Sequence, residues 1–227
     1  EGIKDHPLER RWRGEKGIGP IAIGGMVAWL DPAEAPHASS FWRFMGLDVR
    51  CSVCHESAGT CEHTDAPGEA PKRERGVKTT WNPTARVHAW KVGRSLLMQA
   101  NEHYRPIYDE FKAQEVRDNV PRSRAVAEAD GYALAEDVTD VLKVGVVIKK
   151  RPKPGEGKTW ELLQQTGRGA VLVTRSDGHV HNRAMRKVVK LWVEHVWITW
   201  REEVGLPTGD PFPVAHLGHA RRYPPPV

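Results

Sequence analysis

PLERRWRGEKGIGPIAIGGMVAWL, residues 7–30, is the stretch on which the reading of the fold turns. Residues 7–14 form a polar, helix-like run, residues 21–30 an apolar one, and Gly17-Ile18-Gly19-Pro20 stands between them. Proline is favoured at the first position of a helix and glycine tolerates positive φ, so the spacing predicts two short helices joined by a glycine turn. In a helix-hairpin-helix, such a turn aims backbone amides and the second helix's N-terminus at a phosphate. An ordinary turn between two core helices has the same spacing. Arg11, Arg13 and Lys16 ahead of the turn weigh toward the phosphate reading, with Arg13, Lys16, Gly17 and Gly19 as the candidate contacts.

Outward from this hairpin, residues 31–40 are a Pro/Ala-rich connection. Ser39 or Ser40 is placed to cap a short helix over 41–45 that Gly46 ends, which makes residues 1–50 one helical unit. Residues 51–83 lack any apolar period and carry Cys, His, Gly, Pro and the basic run Lys72, Arg73, Arg75 and Lys78. Periodicity returns with Ala85, Ala89, Val92 and Leu96, one stripe of a helix ending near Gln99. Further helices are predicted over 104–116 and 124–144. Residues 145–178 hold the β-branched runs 146–148 and 171–173 around a Pro/Gly/Lys-rich segment, which reads as a small strand pair or an inserted loop. The longest helix is expected over 179–204, starting at Ser176 or Asp177 and stopped by Gly205. The Pro-rich tail 206–227 is expected to lie extended. The fold class is therefore mainly α, with a helix-hairpin-helix (1–50), a Cys/His loop and basic linker (51–83), a helical bundle (84–205) bearing a strand-containing insertion, and a tail.

Length and charge narrow the function. The chain has 227 residues, long enough for a packed core, and 34 Lys and Arg against 29 Asp and Glu give a net charge of +5, which favours an anionic partner. The apolar run 18–30 is broken by Gly and is shorter than the roughly 20 residues a membrane span needs, so no membrane association is expected. No signal peptide is visible, and the three cysteines, all between positions 51 and 61, suit metal chemistry in a reducing compartment better than a disulfide framework. A cytoplasmic location is expected.

Cys51-x2-Cys54 followed by Cys61-x-His63 supplies three thiolates and an imidazole, a donor set that suits tetrahedral Zn2+. His55 competes with His63 for the fourth place. A closed four-ligand site is structural, with no position left open for catalysis. On the long helix Arg183, Arg186, Lys187 and Lys190 share an arc opposite Met185, Val188, Val189, Trp192, Val196 and Trp200, so one face is expected to pack and the other to be cationic. That face is either a solvated surface or a contact for a nucleic-acid backbone. His179, His181, His195, His216 and His219 read as capping or surface histidines rather than a second metal site, and Trp29, Trp42, Trp90, Trp192 and Trp200 as core residues.

Five segments together resemble the C-terminal part of bacterial insertion-sequence transposases that pair an RNase-H-like domain with a serine-bearing domain and are often guided by a bridge RNA. They are GIGPIAIGGMVAWLD (17–31), SSFWRFMGL (39–47), GVKTTWNPTARVHAWKVGRSL (76–96), HVHNRAMRKVVKLWVEHVW (179–197) and FPVAHLGHARRYPPP (212–226). The likeness is greatest to a subgroup common in plasmids and phages, which implies a bacterial or phage-encoded protein that binds DNA, with a guide RNA and a second copy of the chain as further candidate partners. The family's acidic nuclease domain precedes the helix-hairpin-helix and is not part of this chain, so its carboxylate chemistry maps to no residue here. Its nucleophilic serine, expected between Gly46-Leu47 and the helix near Thr84, is followed by Gly, whereas Ser52 and Ser57 are not. Catalytic residues are therefore unassigned, and the Cys/His loop lies outside the resemblance. A DNA-binding, transposase-related protein is the expected function. The competing class is a non-enzymatic, zinc-stabilised component of a nucleoprotein or phage assembly.

Overall fold

A computed structural model of the chain describes residues 3–56, 61–63, 68–73, 75–119, 147–150, 161–164, 177–209 and 222–226. Among them are α1 (Pro7–Trp12), α2 (Pro20–Trp29), α3 (Ala38–Phe44), β1 (Arg50–Cys51), β2 (Gly68–Glu69), α4 (Pro83–Met98), α5 (Tyr104–Arg117), β3 (Val147–Lys150), β4 (Glu161–Gln164) and α6 (Asp177–Glu203). The protein is mainly helical, with two small antiparallel strand pairs, β1 with β2 and β3 with β4. The chain divides into two compact units, one of residues 1–109 and 185–227 and one of residues 110–184.

In the first unit the glycine turn does join two short helices. Gly14 and Gly17 have φ of +97° and +85°, Gly19 is the N-cap of α2, and Pro20 fills its first turn. Gly17 has a second constraint, because a Cβ there would stand 3.0 Å from the backbone of Ser95 and Leu96. The turn therefore rests on the C-terminal end of α4, and part of what the glycine permits is protein packing. The predicted stripe of α4 is buried at Ala85, Ala89, Val92 and Leu96, and Asn82 caps the helix by accepting from the amides of Thr84 and Ala85. The short third helix differs from expectation. It begins a turn earlier, at Ala38, so Ser39 and Ser40 lie inside it, and its N-cap is His37, which makes no side-chain cap bond. Gly46 ends it at φ +63°, with Leu47 N–H donating to the Trp42 carbonyl at 2.8 Å.

Residues 185–201 of α6 hold this unit together. From Leu191 to Arg201 every residue is buried, so here the two-faced pattern gives way to a helix enclosed on all sides. Gly93 of α4 makes room for it, since a Cβ at that position would meet Val189 Cγ2 at 2.3 Å. Each fully buried Val, Leu or Met here contributes about 1.5–3 kcal/mol. Trp42, Trp192 and Trp200 are core residues as expected, Trp29 and Trp90 are half-buried, and Trp12 and Trp197 join the core. The indole N–H groups of Trp12, Trp42 and Trp197 donate to Thr199 Oγ1, the Lys190 carbonyl and the Ala35 carbonyl, tying α1, α3 and the 31–37 connection to α6. Leu206 N–H returns to the Arg201 carbonyl at 2.8 Å as Gly205, at φ +70°, stops the helix.

His195 is the main polar group in this core and is not the surface histidine that the sequence suggests; it is fully buried. Its Nε2 lies 2.8 Å from the Tyr223 carbonyl, an acceptor only, so Nε2 carries the proton and Nδ1 accepts from the Tyr104 hydroxyl at 2.7 Å. This bond joins α6 to α5 and to the tail segment 222–226. Burial pulls the His195 pKa down to about 3, and the same burial raises that of Tyr104, so both stay neutral.

In the second unit, β3 pairs with β4 in the register Val147 to Gln164 and Lys150 to Glu161. The strand at 146–148 is thus matched by one at 161–164. The other strand segment expected, 171–173, lies outside the described residues, as do the helix expected over 124–144 and His216 and His219.

The His195 arrangement fixes a pH dependence. A depressed histidine pKa means that the unfolded chain binds the extra proton, so the stability it confers is complete above pH 6.5 and is lost as pH falls from 6.5 toward 3. Tyr104→Phe removes the donor to Nδ1 and is expected to cost about 1–3 kcal/mol. Urea unfolding from pH 7.5 to pH 4.5 checks both, and a Tyr104→Phe midpoint equal to that of the wild type would exclude the buried bond.

Candidate metal centre

The Cys/His loop is organised from its backbone upward. Cys51 ends β1 opposite Gly68, with Arg50 opposite Glu69, so the loop begins and returns at one antiparallel pair. Within it Cys51 N–H donates to the Glu56 carbonyl at 2.8 Å, His55 N–H to the Cys51 carbonyl at 3.0 Å, and Val53 N–H to Cys51 Sγ at 3.4 Å. The chain thus folds tightly about the first sulfur. The turn forces His55 to φ +61°, the left-handed region that glycine adopts most readily.

Cys51, Cys54, Cys61 and His63 come together, with one donor atom from each and all four within 4.8 Å of one another. A tetrahedron with bonds of 2.0–2.3 Å has edges of roughly 3.3–3.8 Å, so the group closes on a zinc-sized ion by small side-chain movements. All three cysteines are free thiols. Of the two histidines, His63 joins the group, whereas His55 is spent on the left-handed turn. Cys51 is buried, Cys54 and Cys61 are half-buried and His63 is exposed, so the four donors run from the interior of the loop to its surface.

Electrostatics agree with the geometry. The amides of Cys54 and Val53 point at the Cys51 sulfur and hold its thiol below the usual value. The Glu56 amide favours the Cys54 thiolate, but burial and the neighbouring sulfurs of Cys51 and Cys61 outweigh it and leave that thiol above the usual value. Sulfurs crowded so closely cannot all ionise alone, and a divalent cation removes the conflict. Nearby contacts brace the loop. Arg50 donates to Asp48 Oδ2 and Thr80 Oγ1, Asn82 N–H donates to the Phe44 carbonyl at 2.7 Å, and Trp81 packs on Gly46 beneath the Arg86 guanidinium.

The residues expected to meet DNA are distributed differently. Arg13 pairs with Glu9 and the Lys4 carbonyl, and Lys16 with Glu102, in both cases with cation side chains 60% exposed. Gly19 has open space around its Cα, while Gly17 faces α4. On α6, Arg186 donates to the carbonyls of Gly46, Leu47 and Asp48, and Lys190 lies 4.1 Å over the Trp42 ring, its pKa lowered to about 8 by burial and by Arg186. These two charges hold α3 and the 46–48 segment that follows it in place. Arg183 pairs with the buried carboxylate of Glu115 in the second unit, and Lys187 is half-buried. The cationic arc is thus largely committed within the protein. Sequence periodicity missed this because it records the angle of a residue on its helix and not the depth of the neighbours around it.

No family model matches the chain, and no curated protein or solved structure is significantly similar to it.

The metal reading has a direct check. Purified protein is expected to carry one zinc per chain by mass spectrometry, and Cys54→Ser or His63→Ala to lose it. His55→Gly should keep the metal and the stability, because it relieves the left-handed position without removing a ligand. Metal loss in His55→Gly together with retention in His63→Ala would reverse the ligand assignment.

Proposed function

We propose that this protein is a DNA-binding component of a transposition-type nucleoprotein complex, in which zinc held by Cys51, Cys54, Cys61 and His63 stabilises structure and performs no chemistry. The observation that supports the non-catalytic part is the set of four protein donors within 4.8 Å, which, if all four bind a tetrahedral ion, would leave no coordination position for water or substrate. The DNA-binding part rests on the net charge of +5 and on the resemblance to insertion-sequence transposases. Lys16 supports it too: its ion pair with Glu102 is exposed, such pairs are worth about 0–1 kcal/mol, and Lys16 can exchange its carboxylate for a phosphate at little cost, whereas Arg13 would leave the buried carboxylate of Glu9 without its partner. Arg183, Arg186, Lys187 and Lys190 are weaker contacts in this reading, because moving Arg183 or Arg186 strands a buried carboxylate or backbone carbonyls.

A phosphate-led contact releases condensed counterions, so the logarithm of the affinity for duplex DNA should fall linearly with the logarithm of salt concentration, with a slope near −0.9 per neutralised phosphate. Arg13→Ala with Lys16→Ala should make the slope shallower by about 2 if both touch phosphates. Filter binding measures it, and a wild type that retains neither DNA nor RNA in dilute salt would overturn the reading.

A further inference from the structure

The segment that leaves β2, residues 70–78, belongs neither to the metal site nor to the helical core. Arg73, Arg75 and Lys78 are exposed and have no hydrogen-bond or ion-pair partner among the described residues, unlike Arg13, Lys16, Arg183 and Arg186. With Gly76 and Val77 they line one open groove of about 550 Å³. Val77 is 61% exposed, and Gly76, at φ +82°, has nothing within 4 Å of its Cβ position, so between the cations lie open backbone and one apolar side chain.

The groove is anchored at its start. Lys72 pairs with Glu69 of β2, and Arg86 of α4 donates to the Pro71 carbonyl at 2.8 Å while stacking 4.7 Å above Trp81. β2 in turn pairs with β1, whose last residue is the metal ligand Cys51. The segment is thus held at the exit of the Cys/His loop, and its cations are fixed in number and sequence order while their heads stay in water. Glu74 is the one carboxylate of the run, against four cations at 72, 73, 75 and 78, which leaves a local excess of +3.

We propose that the 72–78 groove is the principal nucleic-acid contact of the protein, with Arg73, Arg75 and Lys78 gripping successive phosphates of a DNA backbone. The inference rests on the DNA-binding reading above and adds to it the location of the grip. Two guanidinium forks suit phosphate oxygens, which they bind through paired N–H donors. None of the described lining residues carries an aromatic ring or an acceptor side chain, which favours contact with the backbone over reading of sequence. An acidic protein segment or an anionic lipid surface presents charge to the same cations without the regular phosphate spacing of DNA.

The test compares wild type, Arg73→Ala/Arg75→Ala/Lys78→Ala and the charge-preserving Arg73→Lys/Arg75→Lys/Lys78→Arg, each shown to have unchanged zinc content and melting temperature. Binding to a mixed-sequence DNA duplex is followed across a salt series, with poly-glutamate and phosphatidylserine vesicles as competitors. The triple alanine variant should lose about 3 from the salt slope, equally for unrelated sequences, and the charge-preserving variant should recover most of it. Wild-type binding with the full slope retained by the alanine variant would overturn the groove while leaving the DNA-binding reading intact. Absence of wild-type binding would overturn both. Displacement of DNA by poly-glutamate or vesicles at equal charge concentration would overturn the assignment to nucleic acid.

Discussion

The first unit depends on enclosing residues 191–201 of α6, because a helix buried on every side leaves no solvent to satisfy its polar side chains. The consequence is visible in His195, Thr199 and Arg201, although the buried indole N–H of Trp192 has no hydrogen-bond partner among the described residues. His195 spends both ring nitrogens on Tyr104 and the Tyr223 carbonyl, Thr199 takes the indole N–H of Trp12 and returns its own proton to the helix backbone, and Arg201 donates to the carbonyls of Pro32, Ala35 and Pro207. Segments with little regular structure of their own, the 31–37 connection and the 222–226 tail, are thereby fixed by side chains of one helix. Glu194 shows the cost of enclosure, since burial raises its pKa to about 7 against the pull of Lys190 and Arg222.

The Cys/His loop solves a different problem. Between β1 and β2 there is no apolar stripe to bury, and ordering each residue costs on the order of 1–2 kcal/mol. Bound zinc can contribute roughly 10 kcal/mol or more once the thiols are deprotonated, enough to replace a core for a segment this short. The amides aimed at Cys51 prepare the first thiolate, and the two-residue strand pair brings the loop's ends together. The basic groove continues directly from that pair, with Glu69 and Lys72 joined by a surface ion pair.

Much of this was legible in the sequence where one local rule sufficed. The helix stripe Ala85, Ala89, Val92 and Leu96, the Gly205 stop, the glycine turn before Pro20 and the grouping of Cys51, Cys54, Cys61 and His63 all follow from spacing and residue type. The His37 cap of α3, the burial of His195 and the pairing of β3 with Glu161–Gln164 did not, because each is decided by a partner distant in sequence or by competition among similar candidates. The cations of α6 are the clearest case. Arg186 and Lys190 read as a free face on a helical wheel, and only the carbonyls of Gly46, Leu47 and Asp48 and the ring of Trp42 reveal their structural use. Their commitment moves attention to Arg73, Arg75 and Lys78, which a search for periodic faces passes over because they lie on no helix.

The identity of the metal shell decides whether the Cys/His loop is a structural site, and zinc K-edge X-ray absorption on the purified protein tests it most directly. Three sulfur scatterers at about 2.3 Å and one imidazole nitrogen at about 2.0 Å are predicted, without an additional water oxygen. A shell dominated by oxygen, or one with an open position filled by water, would contradict a closed structural site formed by Cys51, Cys54, Cys61 and His63.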